Sequence, residues 1–244
     1  MKLDLNRIYN MDCLEGMKDI HDKSIDMILC DLPYGTTACK WDTIIPFPPL
    51  WEQYERVIKD NGAIVLTARE PFTSSLLMSN PKRYKHKWVW NKKQSGSFQN
   101  AKYMPLQIEE DILVFCKNRV SYYPEMRKGK LRVKGGRKTP HEIAKGLGNA
   151  YTNMSDMYYP INIIEIPNCS NRGANVHPTQ KPVALFEYLI KTYTNEGETV
   201  LDNCIGSGTT AIACINTNRN YIGFELDTGY YNIAVDRICA TRGC

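Results

Sequence analysis

Two short stretches of the chain combine side chains that a plain turn does not require. The first is Asp31-Leu32-Pro33-Tyr34-Gly35, directly after the apolar run Ser24 to Cys30. It sets a carboxylate acceptor, a stiff ring and an aromatic plane side by side. A flat base bearing an exocyclic amine can stack on Tyr34 while its N–H donates to Asp31. Read in isolation, the same letters also have the composition of an ordinary turn.

The second stretch is Val200-Leu201-Asp202-Asn203-Cys204-Ile205-Gly206-Ser207-Gly208-Thr209-Thr210, followed by a helical run and then Tyr221 to Asp227. This reads as strand, glycine turn, helix, strand and acid. Glycines let the backbone approach a ligand closely, and Glu225 at the end of the second strand suits a pair of ribose hydroxyls. A nucleoside-bearing cofactor is therefore expected here. A dinucleotide fingerprint would place a third glycine near position 211, which is Ala211, so a pyrophosphate loop is a poor match.

These stretches need a scaffold that holds them at one end of a sheet. Apolar, turn-bounded runs at Ser24 to Cys30, Ala63 to Thr67, Asp111 to Cys116, Thr199 to Leu201 and Asn220 to Phe224 predict strands. Helical patterns fall between them: Pro48 to Lys59 gathers Leu50, Tyr54, Val57 and Ile58 on one face, and Pro182 to Tyr193 gathers Leu185, Tyr188 and Leu189. Uniformly apolar strands alternating with helices predict an α/β fold around a mostly parallel sheet covered on both faces. Ligands of such sheets sit beyond the carboxyl ends of the strands, where Asp31 and Asp202 are expected.

The rhythm breaks between Asn118 and Asn175, a stretch rich in Gly, Lys, Arg, Tyr and Asn with no sustained apolar period. It predicts an inserted basic region at 118–175 between an N-terminal half, 1–117, and a C-terminal half, 176–244. The net charge is only +5, but Lys82 to Lys93 holds six bases and no acid, and Lys117 to Lys145 ten bases against two acids. Basic residues concentrated in this way suit a polyanion, with Tyr122 and Tyr123 available beside them. Nine cysteines are scattered without a close Cys-x-x-Cys pair, and His21, His86 and His141 lack ligand spacing, so reduced thiols and no metal centre are expected. No apolar run approaches the roughly 18 residues of a membrane span, and Asp4 and Arg7 stand where a signal peptide would be apolar, which predicts a cytoplasmic protein with no membrane partner.

Taken together, Asp31-Leu32-Pro33-Tyr34, the segment His177-Pro178-Thr179-Gln180-Lys181-Pro182 ahead of a helix, and the Gly206 to Thr210 turn with Glu225 resemble the β group of amino-methylating DNA methyltransferases. The order matches as well, with the catalytic tetrapeptide ahead of the cofactor loop. Ala63 to Leu77, Trp88 to Lys92 and Glu110 to Phe115 are similar to the group's intervening sheet elements. Two departures stand out: Leu32 replaces the usual second proline, and Asn203-Cys204 stands where Pro-Phe is common.

The resemblance implies a Rossmann-like S-adenosylmethionine-dependent fold and methyl transfer to an exocyclic amine in DNA. It assigns Asp31, Leu32 through its carbonyl, Pro33 and Tyr34 to catalysis. It assigns Thr179, Gln180, Lys181, Asp202, Gly206, Ser207, Gly208, Thr209 and Glu225 to S-adenosylmethionine. His177 receives no acid or base role. Asp rather than Ser at position 31 selects adenine N6, with cytosine N4 as the alternative inside the family. Outside it stand a nicotinamide-dependent dehydrogenase and a non-catalytic nucleic-acid-binding protein. The resemblance also allows a homodimer and a companion restriction endonuclease.

Overall fold

A computed structural model describes residues 3–35, 42–95, 98–135, 152–168 and 180–243. The chain divides into two compact units, one formed by 1–123 with 162–244 and the other by 124–161, so the smaller unit lies inside the expected insertion.

The larger unit is built from strands and helices in turn. Strand β1 is Arg7–Asn10, α1 Cys13–Lys18, β2 Ile25–Cys30, α2 Phe47–Val57, β3 Ile58–Ala68 and α3 Phe72–Ser79. Strand β4 (Tyr84–Asn91) and β5 (Glu109–Phe115) follow. After the smaller unit, which contains β6 (Arg127–Gly135) and β7 (Thr152–Tyr158), come β8 (Ile163–Glu165), α4 (Val183–Tyr193), β9 (Thr199–Asp202), α5 (Thr209–Asn216), β10 (Asn220–Glu225) and α6 (Thr228–Arg242). Eight strands form one sheet in the order β1-β10-β9-β2-β3-β5-β4-β8. The pairs from β1 to β3 are parallel, β5 is antiparallel to both β3 and β4, and β8 is parallel to β4. Only β5 runs against the rest, which brings its first residues, Glu109 and Glu110, to the same edge as the last residues of the others.

The sheet is covered on both faces, as uniformly apolar strands require. Met27, Leu29, Ala63 and Val65 pack with Leu185, Leu189, Ala213 and Ala234 from α4, α5 and α6. Their alternating neighbours Ile28, Cys30, Ile64 and Leu66 pack with Met17, Leu50, Tyr54 and Leu76 from α1, α2 and α3. Period-two alternation within each strand supplies both cores. Local signals set the helix starts: Asp12 caps α1 by accepting from the Leu14 and Glu15 N–H groups, Asp227 caps α6 through Tyr230 N–H, and prolines occupy the first turn of α2.

The expected strands appear, with some differences. Helix α2 stops at Val57, and Ile58 and Lys59 already belong to β3. Two short or polar strands, β1 and β8, carry no apolar run long enough to predict them. Within the smaller unit, β6 and β7 pair antiparallel in a stretch read from sequence as irregular. Trp88 and Trp90 are buried, as a core role requires.

The basic run at Lys82 to Lys93 is not a free cationic face. Arg83 pairs with Glu55 at 2.9 Å, Lys87 with Asp111 at 2.8 Å, Lys92 with Glu110 at 3.1 Å and Lys93 with Glu165 at 2.9 Å. Acids on α2, β5 and β8 answer four of its six bases, so most of its charge is matched within the unit, while Lys82 and Lys85 are exposed. No helix among the described residues is long and apolar enough to cross a membrane.

Candidate active site

Strand order reverses between β9 and β2: β2 leads through α2 to β3 on one side, and β9 leads through α5 to β10 on the other. Such a switch point opens a crevice beyond the strand ends. The turn after β2 places Asp31 on one side of it, and the turn after β9 places Gly206 to Gly208 on the other.

Asp31 is partly exposed and its carboxylate is already engaged. Oδ1 accepts from the Tyr34 hydroxyl at 2.8 Å and from the Thr67 hydroxyl at the end of β3. Oδ2 accepts from Lys181 Nζ at 2.6 Å. Two hydroxyls occupy Oδ1, so the lone pair left for an incoming donor lies on Oδ2. Phe72 stacks against the Tyr34 ring at 5.1 Å between centroids, so a base can use only the opposite face of that ring. Burial, with the Asp31 and Glu110 carboxylates behind it, raises the Tyr34 hydroxyl well above its ordinary range and keeps it a donor. The Leu32 side chain is buried in the core beneath α2, which leaves only its main chain to serve the site.

Lys181 is buried, just ahead of α4. Burial alone would lower its pKa, yet the Asp31 and Glu110 carboxylates outweigh that and raise it, so it stands as an ammonium. Glu110 lies 3.4 Å from Lys181 through Oε2 and 3.1 Å from Lys92 through Oε1. A row Lys92, Glu110, Lys181, Asp31 therefore alternates in sign across four segments of the chain.

The glycine turn is built for close approach. Gly206 and Gly208 have φ of +53° and +84°, a region that other residues enter only with strain. A Cβ on Gly208 would also stand 3.1 Å from the Ala234 side chain, whereas one on Gly206 would meet open space. Glu225 holds the turn from β10: Oε2 accepts from Gly206 N–H at 2.9 Å and Oε1 from Asp227 N–H at 2.8 Å. Each oxygen keeps a lone pair, and burial raises the carboxyl pKa. Asp202 is buried and accepts from Cys204 N–H at 3.0 Å and from the Thr210 hydroxyl. Burial pushes its pKa up to about 7 against those two stabilising bonds.

The two sides are joined by one dipeptide. Gln180 Oε1 faces the Ser207 hydroxyl at 3.5 Å, the Lys181 carbonyl faces the Thr209 hydroxyl at 3.5 Å, and the Lys181 side chain crosses to Asp31. Asp31, Tyr34, Gln180, Lys181, Asp202, Ser207, Thr209 and Glu225 thus gather around one crevice. Thr179 lies outside the described residues, as do His177, Pro178 and the segment 36–41 after the acceptor loop. Sequence reasoning missed Thr67, Glu110, Lys92 and Arg237. Arg237 of α6 donates to the Ser207 hydroxyl at 2.8 Å and to its carbonyl, which pins the turn from outside. No motif marks these four, because their roles come from partners far away in the chain.

A DNA methylase family model of the N6/N4 type matches residues 25–236. The chain belongs to that family. The match sets aside the dehydrogenase and the purely binding alternatives. Among curated relatives, the type II methyltransferase M.HpaI of Haemophilus parainfluenzae is 28% identical, covering 95% of this chain and 74% of its own. M1.MboII of Moraxella bovis is 26% identical over 95% of this chain and 96% of its own. The solved M1.HpyAVI-SAM complex aligns with a TM-score of 0.64 at 24% identity, over 95% of this chain and 98% of that one. The cytosine-N4-specific PvuII DNA methyltransferase aligns with a TM-score of 0.69 at 15% identity, over 99% and 93%. These alignments confirm the methyltransferase fold expected from the motifs.

Proposed function

We propose that the chain transfers the methyl group of S-adenosylmethionine to the N6 amine of adenine in DNA. The observation that carries this reading is the pair of facing turns, an acceptor loop at Asp31 and a left-handed glycine turn with Glu225, bridged by Gln180-Lys181. The open space beside Gly206 and the free lone pairs of Glu225 fit a nucleoside with two ribose hydroxyls. Gly206, Ser207, Gly208 and Thr209 would lie along the cofactor, Glu225 would take the ribose, and Asp202 would hold the turn in shape. Thr179, Gln180 and Lys181 would bound its carboxylate end, with Lys181 shared with Asp31.

S-adenosylmethionine supplies an electrophilic methyl on a sulfonium sulfur. The protein's own residues must make the amine nucleophilic, because its lone pair is conjugated with the ring. Acceptors on both amine hydrogens favour the tetrahedral nitrogen whose lone pair points out of the ring. Asp31 Oδ2 and the Leu32 carbonyl are assigned to those hydrogens, and Tyr34 to the base plane. Pro33 stiffens the loop between them. The remaining acceleration comes from orientation and preorganised charge. The amine cannot reach this crevice from inside a duplex, so the base must be flipped out or already unpaired.

Adenine is favoured over cytosine by Asp at position 31. In the smaller unit, the exposed Lys128 and Lys130 of β6 are assigned to DNA phosphates. Self-association and a companion endonuclease belong to the same reading. Transfer of radiolabel from S-adenosylmethionine to duplex DNA by the wild type, with none by Asp31→Ala, tests the activity. Absence of label in DNA from the wild-type protein across a random-sequence pool would overturn it.

A further inference from the structure

The methyl-transfer reading gives Asp31 and Lys181 work to do but leaves Glu110 and Lys92 unexplained. Both lie at the strand edge beside the site, Glu110 largely covered on β5 and Lys92 buried just beyond β4. Holding four largely covered charged side chains together is costly unless each is paired, and such a row is often no more stable than an apolar packing of equal volume. Lys181 has two claimants, Asp31 Oδ2 at 2.6 Å and Glu110 Oε2 at 3.4 Å. Glu110 Oε2 is buried and accepts no hydrogen bond. The opposite oxygen, Oε1, is held by Lys92 at 3.1 Å. Glu110 therefore offers Lys181 a second position a short movement away, with its acceptor already dehydrated.

Resting on the reading of Asp31 as the amine acceptor, we propose that Glu110 is a positioning residue for methyl transfer, drawing the Lys181 ammonium off Asp31 Oδ2 when the target amine arrives. Lys92 sets how strongly it draws. Without such a second partner, the amine would have to share with an ammonium the one oxygen of Asp31 not filled by the Tyr34 and Thr67 hydroxyls. With it, the ammonium keeps a counter-charge throughout, and Asp31 is free to accept. The ionisable groups facing Asp31 are Tyr34 and Cys30 from its own loop and strand, Lys181 ahead of α4, Glu110 from β5 and Asp202 from β9.

The test is single-turnover methylation at saturating S-adenosylmethionine and DNA, recorded across pH. Glu110→Gln leaves Lys181 wholly on Asp31, so the rate should fall by about tenfold or more while both dissociation constants stay within about twofold. The acidic limb of the rate profile should move to lower pH, because an undivided ammonium favours the charged carboxylate. In a Lys181→Met background, Glu110→Gln should no longer move that limb. Lys92→Gln should move it to higher pH, since Glu110 then takes the larger share of Lys181. Wild-type turnover in Glu110→Gln, or a limb shift that persists without Lys181, overturns the proposal. Should Glu110→Gln fail to fold, a Lys92→Gln shift to higher pH supports it and any other result overturns it. Asp31→Asn separates the two levels: if Asp31→Asn methylates at the wild-type rate, the acceptor role of Asp31 is misassigned and the Glu110 proposal falls with it, whereas an inert Asp31→Asn beside a normal Glu110→Gln removes only Glu110.

Discussion

Lys181 Nζ lies 2.6 Å from Asp31 Oδ2, although 150 residues separate the two in the chain. The pair links the acceptor loop to the segment that bounds the glycine turn, so the two halves of the site share one ammonium. Truncating Asp31 removes the acceptor but leaves Lys181 with Glu110, so the fold and the cofactor side should survive. Asp31→Ala is expected to abolish methyl transfer while S-adenosylmethionine affinity changes by less than about threefold. Equilibrium dialysis beside a transfer assay measures both. Turnover above about a tenth of wild type, a loss of under ~1.4 kcal/mol, would sink the assignment.

Glu225→Ala should have the reverse effect. It removes the carboxylate assigned to the ribose and also frees Gly206 N–H, which Glu225 now holds at 2.9 Å. Hydrogen bonds to charged groups contribute about 1.5 to 3 kcal/mol each, so affinity should drop at least tenfold. Calorimetric titration reads it, and an unchanged dissociation constant would place the cofactor elsewhere.

The pairing of the turns was legible in the sequence because each motif is local: Asp31 to Tyr34 and Gly206 to Thr210 follow apolar runs that can only be buried strands. The approach of Lys181 to Asp31 was not, since nothing in local spacing says which distant side chain a lysine will meet. Strand β4 shows a different failure. Tyr84, His86, Trp88 and Trp90 alternate with lysines and Val89, a period-two pattern that the density of positive charge obscures. The ion pairs of Lys87 within it, and of Arg83 and Lys93 flanking it, are tertiary facts. Strand β6, Arg127 to Gly135, has almost no apolar alternation, and its pairing with β7 is set by a partner strand rather than by a core.

Asp202 links the site to stability. Burial pushes its pKa up to about 7, above the ordinary carboxylate value of 3.8, so the folded state prefers the protonated form. A raised folded-state pKa means that this group's contribution is fully present below about pH 4 and is lost as pH rises through 7. At about 1.4 kcal/mol per unit, the loss approaches roughly 4 kcal/mol in the alkaline limit. Asp202→Asn removes the titration. Whatever fixed difference the amide introduces, the stability of the variant relative to wild type should climb between pH 4 and pH 8. Denaturant melts across that range measure the slope, and parallel curves would show that Asp202 does not titrate there.

The smaller unit makes a separable prediction about DNA. Arg127 donates to the Tyr159 carbonyl at 3.3 Å, so part of its role is to close its own unit, while the Lys128 and Lys130 side chains are exposed. Replacing Lys128, Lys130, Arg132 and Lys134 with glutamine should weaken binding and flatten its salt dependence. The slope of log K against log salt should drop by about 0.9 for each phosphate that is no longer neutralised. Equal slopes for variant and parent would show this strand to be solvated rather than bound.

The product follows from the acceptor geometry only in part. With Oδ1 of Asp31 taken by two hydroxyls, one oxygen remains, and adenine N6 and cytosine N4 each present two hydrogens to it and to the Leu32 carbonyl. Tyr34 is backed by Phe72 on one face, so a base of either size stacks from a single side, and this contact does not choose between them. Asp at position 31 leads us to expect N6-methyladenine. Enzymatic digestion of methylated DNA to nucleosides, followed by mass spectrometry, reads the outcome directly. A dominant N4-methylcytosine peak would overturn the choice of base while leaving the cofactor turn, the Asp31 acceptor and the Lys181 bridge as they stand.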